Sequence, residues 1–418
     1  MRPVRLPERT VAFRHTFGLG GMAAALVLLL ILTGVLIMFV YEPTPERAYG
    51  SIEALRRDVR FGGLVRNVHH WSANLLVIIT FLHLLRTFFT GAFHGARQFN
   101  WVIGTLLLLV VLAANFTGYL LPWDQLSYWA ITIVTAMLGY VPAIGDGLRQ
   151  LARGGPEIGS ATLINFYTFH TTVFPVTLVT LMAFHFWRVR KAGGVVVPRA
   201  YDEGVAERPD TVLFVPSLLA REFVTALVLV ASVLVISVAF DAGLAEPANP
   251  GMSPNPAKAP WYFLGLQELL LHFHPTWAVV ILPGLALLGL LAIPYIRYDE
   301  PLEGPWFLST TGRSLAIAGA VAALALTPLW VLLDEYVTDW SGWLAGLPPV
   351  VSEGLVPAVI ALGVMWGVVR LAARQHGGNR QEVLQAAFAF VTTALVILTI
   401  VGVWFRGEGM ALTWPWTS

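Results

Sequence analysis

The chain has 418 residues, of which 56% are hydrophobic and only 12% charged. A soluble domain carries about 25% charged residues, so this chain lacks the polar surface of a soluble protein, and its apolar content excludes a disordered one. A net charge of +1 says little about partners, whereas the absence of Cys excludes disulfides, thiolate metal sites, iron–sulfur clusters held by this chain and thioether-linked haem.

What remains is an integral membrane protein. A helix needs about 20 mainly apolar residues to cross a bilayer. Nine stretches qualify in chain order: Phe17–Val40, Val68–Leu85, Trp101–Leu121, Phe169–Trp187, Phe223–Phe240, Thr276–Ile296, Ser314–Leu333, Gly354–Val369 and Ala386–Trp404. The eighth is short as drawn. The first is too long in its apolar run, and lacks the small-residue cleavage site, for a signal peptide. Most Lys and Arg fall in segments that share a side with the N-terminus. The opposing segment 334–353 has none and carries Asp334, Glu335, Asp339 and Glu353. The positive-inside rule then puts the N-terminus in the cytoplasm; the first external segment, with Arg47, Arg56, Arg57, Arg60 and Arg66, runs against it. Residues 188–222 are the longest charged stretch and separate a part with His inside its spans from a part without.

Of ten His, four lie within apolar spans. His69 and His83 are 14 residues apart on the second span, and His170 and His185 are 15 apart on the fourth. At 1.5 Å per residue these intervals return a side chain to nearly the same helix face about 21 Å away. The two spans run in the same direction, so His69 lies level with His170 and His83 with His185. An imidazole at that depth is a functional signal, and two level pairs are what two bis-histidine haems stacked across a membrane require. The plain alternative is four His hydrogen-bonded between helices. The neighbouring spans add Gly20 and Gly34 on the first and Gly104 and Gly118 on the third, each pair again 14 apart. Glycine leaves room for a flat ring against a helix face, although chance pairs at that spacing also occur in a Gly-rich chain. Arg66 and Arg86 flank the second span; either suits a haem propionate or an interfacial, snorkelling role.

These residues resemble a known family, the cytochrome b subunit of quinol:cytochrome c oxidoreductases. The resemblance rests on Arg66-Asn67-Val68-His69-His70-Trp71, on Thr117-Gly118-Tyr119-Leu120-Leu121-Pro122-Trp123-Asp124-Gln125, and on Phe166-Tyr167-Thr168-Phe169-His170. It covers about residues 10–195 and looks nearest to the split, chloroplast-type form. In the second part, Glu246-Pro247-Ala248-Asn249-Pro250 and Pro260-Trp261-Tyr262-Phe263 are similar to the segment that carries the family's outer quinol-site signature. Pro260 stands where the family has the Glu thought to take a proton from quinol, and Glu268 is the nearest carboxylate to substitute for it; an interfacial Glu is the plain alternative. Gly18, in Phe17-Gly18-Leu19-Gly20-Gly21, stands where chloroplast-type proteins carry a Cys for an extra covalent haem. The last two spans exceed the split form.

The resemblance implies an all-α integral membrane fold, a four-helix haem-binding bundle plus about five further transmembrane helices. It divides the chain into a dihaem bundle over residues 1–195, a cytoplasmic linker over 196–222, a part with the outer quinol site over 223–335 and an extension with two helices over 336–418. It implies haem b on His69 and His170, of low potential near the outer face, and haem b on His83 and His185, of high potential near the cytoplasm, with no covalent haem. Quinol would bind outside, between Pro122–Gln125 and Pro260–Tyr262. Trp123, Asp124, Tyr262 and Glu268 would serve its chemistry, and Pro122, Gln125, Pro260 and Trp261 its binding. One electron would pass to a Rieske iron–sulfur protein and the other through the haems to an inner quinone, in a proton-translocating Q-cycle. A c-type cytochrome, a homodimeric complex, the bacterial cytoplasmic membrane and no nucleic acid complete the implied setting. Arg190, with Arg188 and Lys191, could attract the inner quinone, and Asp202 could deliver its proton; as anchors on the cytoplasmic side they need neither role. His70, His94, His272, His274 and His376 read as loop or interfacial residues. Two other readings compete: a dihaem conduit serving another respiratory enzyme, which needs no quinol signature, and a haem-free transporter with Pro-broken spans at Pro283 and Pro328.

Overall fold

The computed structural model describes residues 5–198, 200, 210–298 and 303–415. Arg199, Asp202 and Arg208 lie outside these residues, and so does the role considered for Asp202. Among the described residues nine helices are long and apolar enough to cross a membrane. They are Leu19–Met38, Gly62–Phe89, Gly95–Tyr119, Ser160–Lys191, Phe214–Ala239, Thr276–Tyr295, Thr310–Tyr336, Val350–His376 and Arg380–Trp404, called here the first to ninth spans. The eighth has 27 residues, because Val350–Leu355 and the basic turn ending at His376 continue the helix beyond its apolar stretch. The surfaces of the spans suit hydrocarbon rather than water: Val235 and Val238 are 69% and 76% exposed.

Three of the spans share one local device. The fourth, sixth and eighth each contain a π turn, at Phe169–Val173, Thr276–Ile281 and Val350–Leu355. In each, a proline follows two residues later: Pro175, Pro283 and Pro357. A proline has no N–H to give to the preceding turn, and its ring crowds the carbonyl four residues back. A locally widened turn relieves that crowding.

The chain forms two compact units. One comprises Met1–Ser127, Gly159–Ala248 and Leu302–Pro305. In it the first span packs along the second and the third along the fourth, while the fifth lies against the first and second. The grouping therefore departs from the division at residues 196–222, because the fifth span belongs with the first four. Ties at its end explain why. Asn67 Nδ2 donates to Ser237 O and Asp241 Oδ1, its Oδ1 accepts from Ala242 N, and the Trp71 indole donates to Phe240 O at 2.9 Å. At the other end the N-terminal segment Arg5–Pro7 pairs antiparallel with Thr211–Leu213, a strand within the expected linker 196–222. Arg221 also donates to Val11 O.

The second unit comprises Tyr128–Ile158, Asn249–Pro301 and Trp306–Ser418. The seventh and ninth spans pack along each other, and the helix Trp261–His272 lies on the ninth. Small residues permit the contact, as is usual between membrane helices. A Cβ on Gly319 would stand 2.3 Å from Ala386 O, and one on Gly265 2.6 Å from Thr399 Oγ1. Buried Leu315, Val369, Ala373, Val383 and Ala386 fill the space among the seventh, eighth and ninth spans. Asn379 and Glu382 form a capping box at the start of the ninth span, worth about 1 kcal/mol.

Candidate functional site

The second span is a continuous α-helix through His69 and His83. The fourth span carries His170 inside its π turn and His185 in the regular helix that follows. A π turn takes up one residue more than an α turn. This accounts for the spacing of 15 against 14: the extra residue is absorbed before the helix reaches His185. The two levels then match. The ring centroids of His69 and His170 are 6.1 Å apart, and those of His83 and His185 are 6.5 Å apart. A metal–imidazole bond is about 2 Å, so each gap has the width for one metal ion between two facing ring nitrogens.

The hydrogen bonds at the first level settle which nitrogen faces inward. Thr33 Oγ1 donates its only proton to Leu29 O at 2.7 Å and lies 2.9 Å from His69 Nδ1. The oxygen can then only accept, so Nδ1 carries the proton and Nε2 keeps its lone pair. His170 Nδ1 lies 3.0 Å from Ala114 O, a pure acceptor, with the same result. Thr117 Oγ1 adds a second contact to His170 Nδ1 at 3.3 Å. At the second level the Nδ1 of His185 is buried without a hydrogen bond of ordinary geometry, with the Asn100 backbone as a looser contact.

Each histidine faces one of the four spaced glycines. A Cβ on Gly34 would lie 3.3 Å from His69 Cε1, and one on Gly118 2.5 Å from His170 Cε1. At the other level the distances are 3.5 Å from Gly20 to His83 and 3.4 Å from Gly104 to His185. The first and third spans thus present bare backbone beside all four rings. Paired neutral imidazoles, inward lone pairs and side-chain-free walls together fit a flat macrocycle with a central metal. Among the described residues no group of three or more His, Asp or Glu forms a separate metal site.

The flanking arginines differ. Arg66 is 8% exposed and donates to Ala242 O at 2.5 Å and to Gly243 O at 2.7 Å. It is a structural tie between the second span and the end of the fifth, not a snorkelling residue. Arg86 is also buried. Its Nε donates to His15 O at 3.1 Å, and its Nη2 is buried without a partner, a donor suited to an anionic group. His15, which the sequence reading passed over, is 2% exposed. Burial first, and then the neighbouring Arg86, lower its imidazolium to about 4, so it is neutral at pH 7.

The quinol-signature residues occupy two segments. Trp123 is buried with a positive φ of 54°, which turns the chain out of the third span. Asp124 Oδ1 accepts from Ser127 N, and Oδ2 from Ala245 N, both at 2.9 Å. Gln125 N donates to Glu246 O at 2.8 Å. Both Asp124 oxygens are held by backbone donors, so it clamps the loop to residues 245–247 rather than standing free for chemistry. Pro260 caps the helix Trp261–His272. Trp261 is 37% exposed, and its ring lies edge-on to Tyr262 at 5.6 Å.

Glu268 is not interfacial: it is fully buried. Its Oε1 accepts from Arg406 Nε at 2.8 Å and Nη2 at 2.5 Å. Nor is His272 an interfacial residue. It is 3% exposed, with Nδ1 2.8 Å from Asp334 Oδ2 and Nε2 3.4 Å from Glu268 Oε1. The sequence held one signal for this cluster, the i, i+4 spacing of Glu268 and His272. Arg406 and Asp334 are too distant in the chain to be read with them. Arg190 is exposed in the last turn of the fourth span, with Arg188 and Lys191, where basic residues complement the helix dipole. Arg188 and Lys191 lie over the Phe99 and Trp187 rings, as anchors do.

A family model described as Cytochrome b/b6/petB matches residues 8–193, the stretch that holds all four histidines. The cytochromes b6 of Prochlorococcus marinus strains MIT 9211 and AS9601 are each 42% identical over 175 residues. The match takes in 42% of this chain and 80% of each of them. Cytochrome b6 of Synechococcus sp. strain CC9605 matches to the same extent. A solved chain described as Hyperthermophilic respiratory Complex III is similar in fold over 93% of this chain and 91% of its own, with a TM-score of 0.66 and 23% identity. The match reaches through the second unit, which the cytochromes b6 do not cover. The paired histidines, their glycine walls and these relatives place the chain in the cytochrome b/b6 family of haem b-binding, electron-transferring membrane proteins.

Proposed function

We propose that this chain is the dihaem cytochrome b of a bacterial bc-type quinol oxidoreductase. The observation that carries the reading is the pair of matched histidine levels, each with a gap for one metal and glycine backbone on both sides. His69 and His170 hold one haem b, and His83 and His185 the other. Bound there, haem supplies one-electron redox chemistry at two depths of the membrane. Thr33 and Ala114 orient the first pair of ligands, and Arg86 offers its spare Nη2 to a propionate at the second.

Quinol recognition falls to Pro122, Trp123 and Gln125 on one segment and to Pro260, Trp261 and Tyr262 on the other. Glu268 takes the quinol proton. Asp124 contributes by fixing its loop. One electron goes to a Rieske iron–sulfur partner, which is a separate chain because this one has no Cys, and the other to a quinone at the opposite face, where Arg190 stands. A c-type cytochrome subunit accepts from the Rieske protein, in a homodimer set in the cytoplasmic membrane with the N-terminus inside.

The test is a reduced-minus-oxidised spectrum of the purified complex, followed by turnover with a short-chain quinol and an artificial acceptor. The expected result is two b-type haems per chain with bis-histidine character and quinol-dependent reduction. Absence of a b-type spectrum would overturn the haem assignment. Two haems without quinol oxidation would point instead to an electron conduit for another enzyme.

A further inference from the structure

The cluster around Glu268 is larger than a carboxylate and its counter-ion. Leu264, Glu268 and His272 fall at intervals of four on the buried face of Trp261–His272. The seventh span brings Asp334 and Glu335 to this face, and the chain beyond the ninth brings Arg406. Arg406 Nη1 donates to Glu335 Oε2 at 2.9 Å and to Met410 O at 2.8 Å. Lys258 is nearby and donates to Val403 O at 3.0 Å. The charged and titratable groups facing His272 are therefore Glu268 on its own helix, Asp334 and Glu335 on the seventh span, and Arg406 after the ninth, with Lys258 beyond Glu268.

Three features distinguish this arrangement from a simple ionic staple. First, Glu268 Oε2 is buried and has no partner, so one carboxylate oxygen is open while the other is pinned by Arg406. A staple leaves no such orphan, because an unpaired buried acceptor is costly. Second, His272 stands between two carboxylates, with Nδ1 on Asp334 and Nε2 3.4 Å from Glu268 Oε1 and 3.5 Å from Arg406 Nη2. Third, the far carboxylate leads outward. Asp334 has a side chain 10% exposed, whereas those of Glu268 and His272 are 0% and 1% exposed. The Trp340 indole and the Thr338 hydroxyl hold Asp334 Oδ1 at 2.7 and 3.1 Å, which leaves Oδ2 for the histidine.

We propose that Glu268, His272 and Asp334 form a proton relay that carries the proton of quinol from the Tyr262 end of this helix toward water, with Arg406 as its positioning residue. The proposal rests on the quinol-site reading of Pro260–Tyr262. Quinol gives a hydroxyl proton to Glu268 Oε2. A half-turn of the carboxyl brings the protonated oxygen to the place that Oε1 holds 3.4 Å from His272 Nε2; the acid proton passes to Nε2, the ring releases its Nδ1 proton to Asp334 Oδ2, and Asp334 releases it to water. One proton enters and one leaves, and rotation of the ring restores the starting form. The electrons of quinol do not enter the relay.

The proton affinities favour the middle step, from Glu268 to His272. Burial pushes the Glu268 carboxyl up, but hydrogen bonds from His272 and Arg406 more than offset it and hold it below the ordinary value. Burial pushes His272 down, but Asp334 and Glu268 more than offset that and raise it. A proton arriving on Glu268 therefore passes downhill to His272.

The experiment compares D334N, D334E, H272Q and E335Q in the whole complex, with haem spectra as the control for assembly. Turnover with a short-chain quinol is followed from pH 5.5 to 9. D334N and H272Q should lose about tenfold in kcat at pH 7, the size of a general acid–base contribution at its lower end or below. Their KM for quinol should hold, and the rate should recover as pH rises and hydroxide takes over. D334E should restore most of the rate, and E335Q, which touches only Arg406, should be near normal. If D334N keeps the normal rate and pH profile, or if E335Q falls as far as D334N, the relay is overturned. Loss of haem in both D334N and H272Q would assign the cluster to folding and overturn it too. A parent complex that does not oxidise quinol refutes the quinol-site reading itself, and is thereby told apart.

Discussion

The two histidine levels share their ligand type, ring separation and glycine walls, yet differ in what holds the rings. At His69 and His170, Thr33 and Ala114 take the Nδ1 protons. At His185 the Nδ1 makes no hydrogen bond of ordinary geometry, and the Asn100 backbone offers it only a looser contact. A hydrogen bond at the outer nitrogen fixes the tautomer and makes the inner nitrogen a stronger donor. A stronger donor favours the more positive metal, so the first level should hold its haem at the lower potential. The chemical group is the same at both levels, and the neighbours set them apart.

The coarsest test of two independent levels is to remove one ligand from each. His170→Ala should reduce haem content from two to one per chain and leave the spectrum of the other level in place. His83→Ala should do the converse. Loss of both haems in either variant, or retention of both, would break the assignment of separate levels. A smaller effect comes from the walls. Gly118→Ala would put a methyl 2.5 Å from His170 Cε1, whereas Gly20→Ala would put one at 3.5 Å from His83. Overpacking of this kind costs about 1–3 kcal/mol. Haem retention on washing should therefore fall several-fold at the first level in Gly118→Ala and less at the second in Gly20→Ala. Equal losses would show that the porphyrin, and not the ligand ring, sets the limit.

Intermediate in size is Arg86→Gln. The spare Nη2 of Arg86 carries positive charge on the same helix, three residues after His83. Removing it should lower the midpoint potential of the second level, since a nearby cation favours the added electron, and should leave the first unchanged. Redox titration of the two b-type bands would read both shifts together. Arg66→Gln is the counterpart at the other end. Two of its five N–H donors go to Ala242 O and Gly243 O, so the expected loss is stability, about 1.5–3 kcal/mol per charged hydrogen bond, with little change of potential.

The extent to which the sequence disclosed these features follows from range. The spans and the histidine and glycine intervals were legible because helical periodicity is local and a fixed rise per residue converts spacing into depth. The π turn at Phe169–Val173 was not foreseen, because a proline such as Pro175 states that a bond is missing without stating how the helix repairs it. Asp124 and Arg66 were assigned by motif to chemistry and to a propionate. Their backbone partners, at 245 and at 242–243, come from chain more than 100 residues away. His272 was read as interfacial for the same reason: Asp334 and Arg406 reach it only through packing of the seventh and ninth spans.

The subtlest prediction concerns Thr33. In Thr33→Val the shape is nearly kept, but the oxygen beside His69 Nδ1 is gone. The Nδ1 proton then keeps only its contact with the Leu30 backbone, and His69 becomes a weaker donor. Loss of such an outer-shell partner typically costs about 10–100-fold in metal affinity. At the haem concentrations of an assembled complex that loss need not empty the site. The midpoint potential of the first level should instead rise toward that of the second, narrowing the gap between the two bands while haem content stays at two. His170 keeps Ala114 O, a backbone acceptor that no side-chain change removes, so the gap should narrow and not close. An unchanged gap would mean that the two levels differ through the charges around them and not through the hydrogen bonds of their ligands.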